Sequence, residues 1–404
     1  MRKYVIVGNG LAGVTAAQTL VHADPSSEVH IIGEEPYPYY RRPRLVKLVA
    51  GEIEQNAIYY RPPEWYAEQG IHLHLGVRVV SLNPKDNLII LADGSNVHYD
   101  SLLLATGGRP FMPPIEGADK AGVFTLRTLD NALAIKTYAR DIHSAVVIGG
   151  GLLGLEMARA LQAICKEVTV VEFAPYLMPR QLDQEGSQVL KTILETHGLH
   201  ILTSATVEAI LGHDHAMGIQ LKDGQIVDSE LVVISTGIRC RVELAHGVRL
   251  EVGRGIIVDE QLQTSVANIY AAGDVVEFDE QVYGNIPAAI EQAQIAAANM
   301  VTPGNSTYSG TLPVINIKVT GVDITSMGKS VVEAEKYTHL RHTDIAAGQY
   351  RKYVLNKGRM VGAILLNNKE RVPPVAKLIK QNVDVSAHAD RLMDDDFDLE
   401  LLLL

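Results

Sequence analysis

Residues Lys3-Tyr4-Val5-Ile6-Val7 form an apolar run that leads directly into Gly8-Asn9-Gly10-Leu11-Ala12-Gly13. A strand entering glycines spaced G-x-G-x-x-G leaves few structural choices. The first glycine permits a tight turn, the second lets the backbone approach a phosphate, and the third lets the next helix pack on the strand. The helix N-terminus then faces an anion. Residues 11–21 read as that helix and 29–32 as a second strand, after which Glu34 is placed to hydrogen-bond a ribose. The pattern returns at Ala145-Val146-Val147-Ile148-Gly149-Gly150-Gly151-Leu152-Leu153-Gly154-Leu155-Glu156, with a helix to about Ala163 and a strand at 168–171 that ends at Glu172. One such motif is weak evidence. Two complete ones predict two bound dinucleotides, and hydride transfer from a nicotinamide to a flavin is the natural chemistry of the pair.

Between and after the motifs, residues 71–110 and 201–234 read as short strands with turns at Asp93-Gly94 and Lys222-Asp223-Gly224. They end in two near repeats, Leu104-Ala105-Thr106-Gly107-Gly108-Arg109 and Ile234-Ser235-Thr236-Gly237-Ile238-Arg239. Their small residues allow backbone to approach a ligand at a strand's carboxyl end. The segment Tyr270-Ala271-Ala272-Gly273-Asp274 delivers an acid suited to a flavin's ribityl hydroxyl. Ile286-Pro287 then opens an Ala-rich helix at 288–300, whose N-terminal dipole would stabilise negative charge on a reduced flavin. The loop at 34–51, rich in Pro and Tyr, places Arg41, Arg42, Arg44 and Lys47 just beyond the first motif.

A formal net charge of -11 argues against a nucleic-acid partner, because phosphate backbones are held by clustered Lys and Arg. No apolar run approaches the roughly 18 residues of a membrane span, and the N-terminus lacks a signal-peptide layout, so no membrane association and a cytoplasmic location are expected. The two cysteines, Cys165 and Cys240, lack C-x-x-C spacing, so no disulfide framework and no metal site are expected.

With these residues in view, the sequence resembles the FAD-dependent pyridine nucleotide-disulfide oxidoreductase superfamily over residues 3–330. Within it, the R-P-x-L-x-K segment from Arg42 to Lys47 and Asn316-Ile317-Lys318-Val319 resemble the NADH:rubredoxin oxidoreductases and the oxygenase-coupled ferredoxin reductases. The resemblance implies an α/β fold with two Rossmann-like dinucleotide-binding domains, the NAD domain inserted in the FAD domain, plus a small α+β C-terminal domain. The expected bounds are 1–112 with 241–305 for FAD, 113–240 for NAD, and 306–404 for the last domain. It implies FAD contacts at Gly8, Gly10, Leu11, Ala12, Gly13, Glu34, Arg42, Lys47, Val79, Thr106, Asp274, Ile286 and Lys318. NADH contacts fall at Gly149, Gly151, Leu152, Leu153, Gly154 and Glu172. Gly107, Arg127, Thr236, Gly237 and Gly273 complete the cofactor-binding set. Lys47 and Glu156 match the pair that meets beside flavin N5, each expected to favour the other's charged form.

Disulfide-reducing members keep cysteines in the helix after the first acid, because a thiolate must receive electrons from the flavin. None lies between Glu34 and Gly70 here. Electrons are therefore expected to leave the flavin directly for a small redox carrier protein, rubredoxin first and ferredoxin second. An NADH oxidase and a non-catalytic NADH-sensing flavoprotein remain open, as do monomer and homodimer. Arg42, Arg44, Arg109 and Lys318 are candidates for docking an acidic carrier. At the C-terminal end, 349–354 and 361–366 read as a hairpin, with helical stretches at 375–381 and 387–393. An acidic, apolar tail follows, which either docks or frays.

Glu172 would accept a bond from a ribose 2′-hydroxyl and repel a 2′-phosphate. NADH is therefore expected to be used with a higher kcat/KM than NADPH; equal or higher kcat/KM with NADPH contradicts this.

Overall fold

The computed structural model describes residues 1–404 except Thr320, Glu333 and Leu404, and the backbone alone of Ala334. The chain divides into two compact units, Met1–Arg44 with Ile53–Arg109 and Ile238–Thr311, and Leu45–Glu52 with Pro110–Gly237 and Leu312–Leu404.

In the first unit, five parallel strands run in the spatial order Ile269–Ala271, Ser101–Leu104, Lys3–Val7, Glu28–Gly33, Ile71–Leu75. The central strands are apolar along their length because helices cover a parallel sheet on its faces. Tyr4, Val5, Ile6, Leu102, Leu103 and Leu104 are fully buried. The helix Leu11–Ala23 leaves the first strand and packs against the Ala-rich helix Ile286–Val301. Asn285 caps the latter by accepting from the Ala288 N–H at 2.9 Å, and Pro287 sits in its first turn, where a missing N–H costs nothing.

In the second unit the parallel order is His200–Leu202, Glu167–Val171, Ser144–Ile148, Leu231–Ile234, Val123–Phe124. Each glycine-turn strand thus lies between the strand that ends near an acid and the strand that runs into a Thr-Gly pair. A separate antiparallel sheet runs in the order Val314–Val319, Val322–Gly328, Arg359–Leu366, Gln349–Asn356, Thr338–Asp344, covered by the helix Val372–Lys380. Asp183, which caps the helix Gln184–Thr196, also holds this sheet. Its Oδ2 accepts from the Tyr350 hydroxyl at 2.8 Å and lies 3.0 Å from the buried Lys352 ammonium.

The helices and strands expected around both glycine motifs, the Ala-rich helix and the C-terminal hairpin all form. The helix expected at 387–393 does not: only a short 3-10 turn, Ser386–His388, precedes irregular turns. Successive tight turns replace it: the N–H groups of His388, Arg391 and Asp394 donate to the carbonyls of Val385, His388 and Arg391, and the Arg371 guanidinium donates to the Leu392 carbonyl at 3.1 Å and to that of Asp394. The acidic tail docks, with Phe397 and Leu399 buried against the C-terminal core. Among the described residues, no helix is long and apolar enough to cross a membrane.

Candidate functional site

The two glycine turns are built alike. Gly8 has φ +120 and Gly149 φ +118, and a Cβ on either would lie 2.1 Å from the Ala105 carbonyl oxygen or 2.3 Å from that of Ser235. Only glycine fits both the positive φ and the crossing backbone. A Cβ at Gly10 or Gly151 would meet nothing within 4 Å, so each middle glycine borders open space where its helix begins. Neither helix carries a side-chain cap. The N–H groups of each first turn are left without intrahelical acceptors and face that space. This combination of free donors, positive dipole and a surface without side chains fits the pyrophosphate of a dinucleotide at both turns.

The acids after the two turns behave differently. Glu172 is held in the second turn, its Oε2 accepting from Gly150 N–H at 2.6 Å and its Oε1 from Ala174 N–H at 2.7 Å. Glu34 instead pairs with Arg241 at 2.6 Å and Arg78 at 3.6 Å. Thr106 donates to the Arg241 carbonyl at 2.8 Å, and Thr236 to the Phe111 carbonyl at 2.6 Å. Both hydroxyls therefore brace the chain leaving their own strand. Gly273, at φ +87, donates its N–H to the buried Gln292 Oε1 at 2.9 Å, and a Cβ there would sit 3.0 Å from the Cβ of Ala12. The Gly273-Asp274 corner thus packs against the first motif's helix.

Of the expected FAD contacts, Gly8, Gly10, Leu11, Ala12, Gly13, Glu34, Arg42, Val79, Thr106, Gly107, Gly273, Asp274 and Ile286 belong to the first unit. Lys47 and Lys318 belong to the second, as do Arg127, Glu172, Thr236, Gly237 and the second turn with Leu152, Leu153 and Glu156. Val79 is buried, whereas Ile286 and Lys318 are exposed. Arg127 lies beside the capping box of the helix Leu129–Tyr138, its backbone N–H donating to Asn131 at 3.2 Å. Sequence reading missed Arg241 and Gln292. Both are far in sequence from the groups they hold, and no local pattern marks them.

Lys47 lies on the short helix Arg44–Val49, and Glu156 on Leu152–Gln162. Among the described residues they form no ion pair, though the Lys47 charge acts on Glu156. Burial pushes the Glu156 carboxyl up to about 6, and Lys47 opposes the rise. Lys47 thus favours the charged carboxylate, in the direction expected for the pair, while desolvation outweighs that attraction. Neither cysteine is primed as a nucleophile. Burial pushes the Cys165 thiol up to about 11, and burial with the Asp274 charge also raises Cys240.

The Glu156 shift has a definite sign. A carboxyl raised from its usual 4.5 to about 6 contributes stability that is fully present below 4.5 and lost as pH rises through 6. Glu156→Gln is expected to raise Tm by about 2–4 °C at pH 8 and to match the wild type near the bottom of that window. Thermal unfolding that shows no gain at pH 8 contradicts this.

Comparison with known proteins agrees with this architecture. Residues 2–296 match the family model described as pyridine nucleotide-disulphide oxidoreductase, and residues 313–383 match the rubredoxin NAD+ reductase C-terminal domain. The chain is 35% identical over 387 residues to nitrite reductase (NAD(P)H) of Bacillus subtilis (strain 168), covering 95% of this chain and 48% of that protein. It is 31% identical over 332 residues to rubredoxin-NAD(+) reductase of Pseudomonas putida, covering 80% and 86% respectively. The reductase in the covalent putidaredoxin reductase-putidaredoxin complex superposes with a TM-score of 0.90 at 28% identity, covering 100% of this chain and 98% of that one. The chain spans about half the length of the first curated relatives it matches. With both glycine turns and the C-terminal domain accounted for, the chain belongs to the pyridine nucleotide-disulphide oxidoreductase family, flavoproteins that use FAD and NAD(H).

Proposed function

We propose that this protein is an NADH-dependent FAD reductase of the rubredoxin reductase type, taking hydride from NADH and passing single electrons to a small iron carrier protein. The observation that carries the reading is the lack of a thiol relay. The only cysteines are a buried Cys165 and a half-buried Cys240, both with raised pKa, and neither lies in the segment after the first acid. The match of residues 313–383 to a rubredoxin reductase C-terminal domain supports the carrier assignment.

In this reading the chain has three parts, with FAD on 1–112 and 241–305, NADH on 113–240 and a C-terminal domain from 306. The first turn, Gly8 to Gly13, binds the FAD pyrophosphate, with Glu34, Arg42, Val79, Thr106, Gly107, Gly273, Asp274, Ile286 and Lys318 around the same cofactor. Gly149, Gly151, Leu152, Leu153, Gly154, Glu172, Arg127, Thr236 and Gly237 serve NADH. Bound FAD supplies the chemistry that converts a two-electron hydride donor into a one-electron source. Lys47 is the cation of the reacting edge, where negative charge develops, and Glu156, its carboxyl pushed up to about 6 by burial, is its partner there. Glu172, already held by two backbone N–H groups, orients an acceptor for the NADH ribose.

The identity to nitrite reductase favours a second reading, in which the same unit feeds electrons to a nitrite-reducing centre. Steady-state NADH oxidation tests the carrier reading when run against rubredoxin, ferredoxin, oxygen and small disulfides. Turnover is expected with rubredoxin above ferredoxin and negligible turnover with disulfides. A fast disulfide reaction, or a long-lived reduced complex that no one-electron acceptor discharges, contradicts the proposal.

A further inference from the structure

The cations named in sequence as docking candidates are largely engaged. Arg42 lies 3.3 Å from Glu35, Arg109 lies 3.3 Å from Glu243, and Arg44 donates to the Ala57 carbonyl at 2.5 Å. Two of their neighbours are not engaged in this way. Arg41 and Arg61 are exposed, and neither pairs with a carboxylate among the described residues. Both stack on one ring: the Arg41 guanidinium carbon is 4.9 Å from the centroid of Tyr60 and that of Arg61 is 4.8 Å from it. Arg61 also lies 5.5 Å from Trp65, the one tryptophan of the chain.

This ladder stands on a rigid base. Tyr60 packs edge-on against buried Tyr39 at 5.4 Å, and its N–H donates to the Tyr39 carbonyl at 2.9 Å. The Arg41 N–H donates to the Ile58 carbonyl at 3.2 Å, and the Tyr39 N–H donates to the hydroxyl of fully buried Tyr66 at 3.1 Å. The same loop is tied to the first glycine turn, where Asn9 donates to the Tyr37 carbonyl at 3.3 Å.

We propose that Arg41, Tyr60, Arg61 and Trp65 form the docking surface for an acidic one-electron carrier protein, an inference that rests on the reductase reading above and names the surface it needs. The segments that make this surface, 36–44 and 58–69, carry Arg41, Arg42, Arg44 and Arg61 against Glu64 and Glu68, a local cationic excess in a chain of net charge -11. An acidic carrier is repelled by the molecule as a whole and attracted here, so the field orients the encounter. Guanidiniums stacked on rings keep their charge while losing rotamer freedom in advance, which lowers the entropic cost of binding. Arg, Tyr and Trp are also the residues that carry most binding energy at protein interfaces. The Asn9–Tyr37 bond puts the docked partner beside the first glycine turn, where the proposed FAD pyrophosphate would sit.

The test is carrier kinetics with a purified acidic rubredoxin on the FAD-loaded protein, comparing wild type with Arg41→Glu/Arg61→Glu. The KM for rubredoxin is expected to rise about tenfold or more and to lose its dependence on ionic strength, while stopped-flow reduction of the bound FAD by NADH is unchanged. The neutral pair Arg41→Gln/Arg61→Gln gives a smaller rise in the same direction and guards against misfolding of the reversed-charge variant. Unchanged KM and salt dependence in both variants, with rubredoxin reduction intact in wild type, overturn the surface and leave the reductase reading standing. Failure of wild type to reduce rubredoxin overturns both.

Discussion

The contact on which the rest depends is between two glycines in each turn. A Cβ at Gly13 would lie 2.0 Å from the Gly8 carbonyl oxygen, and one at Gly154 would lie 1.9 Å from that of Gly149. With no side chain between them, helix and turn close directly on one another, and the helix start is aimed at the open space beside Gly10 or Gly151. The anion-binding geometry is thus a consequence of backbone packing. The strands on either side, 28–33 with 101–104 and 167–171 with 231–234, then deliver an acid and a Thr-Gly pair to the same end of each sheet.

The turns were legible in the sequence because the constraint is local: positive φ and close approach select glycine whatever the tertiary surroundings. The apolar strands were legible for a similar reason, as both faces of a parallel sheet are covered. What stayed hidden depends on residues far apart in the chain. Arg241 reaches Glu34 across 207 positions, and Arg371 reaches the Leu392 carbonyl across 21. The Lys47 and Glu156 pairing came from family resemblance, but the winner between attraction and desolvation depends on how deeply the fold buries Glu156. The Arg41, Tyr60 and Arg61 stack likewise exists only once the segments at 39–41 and 58–60 are bonded together.

The chemistry follows from what surrounds the two sites and from what is missing there. Neither thiol is activated: burial raises both, and an anionic neighbour raises them further. In disulfide-reducing members of the family a thiolate after the first acid is the exit for electrons, and this sequence has no cysteine between Glu34 and Gly70. In the proposed reading the half-buried Glu156, pushed up to about 6 beside Lys47, is assigned to the cofactor's charge, and the exposed arginine stack to an acidic protein.

The central claim, direct transfer from flavin to carrier without a thiol intermediate, is tested most directly by rubredoxin reduction in the Cys165→Ser/Cys240→Ser variant loaded with FAD. The account predicts NADH-driven carrier turnover equal to that of the wild type. Loss of carrier reduction with flavin reduction by NADH preserved would contradict it.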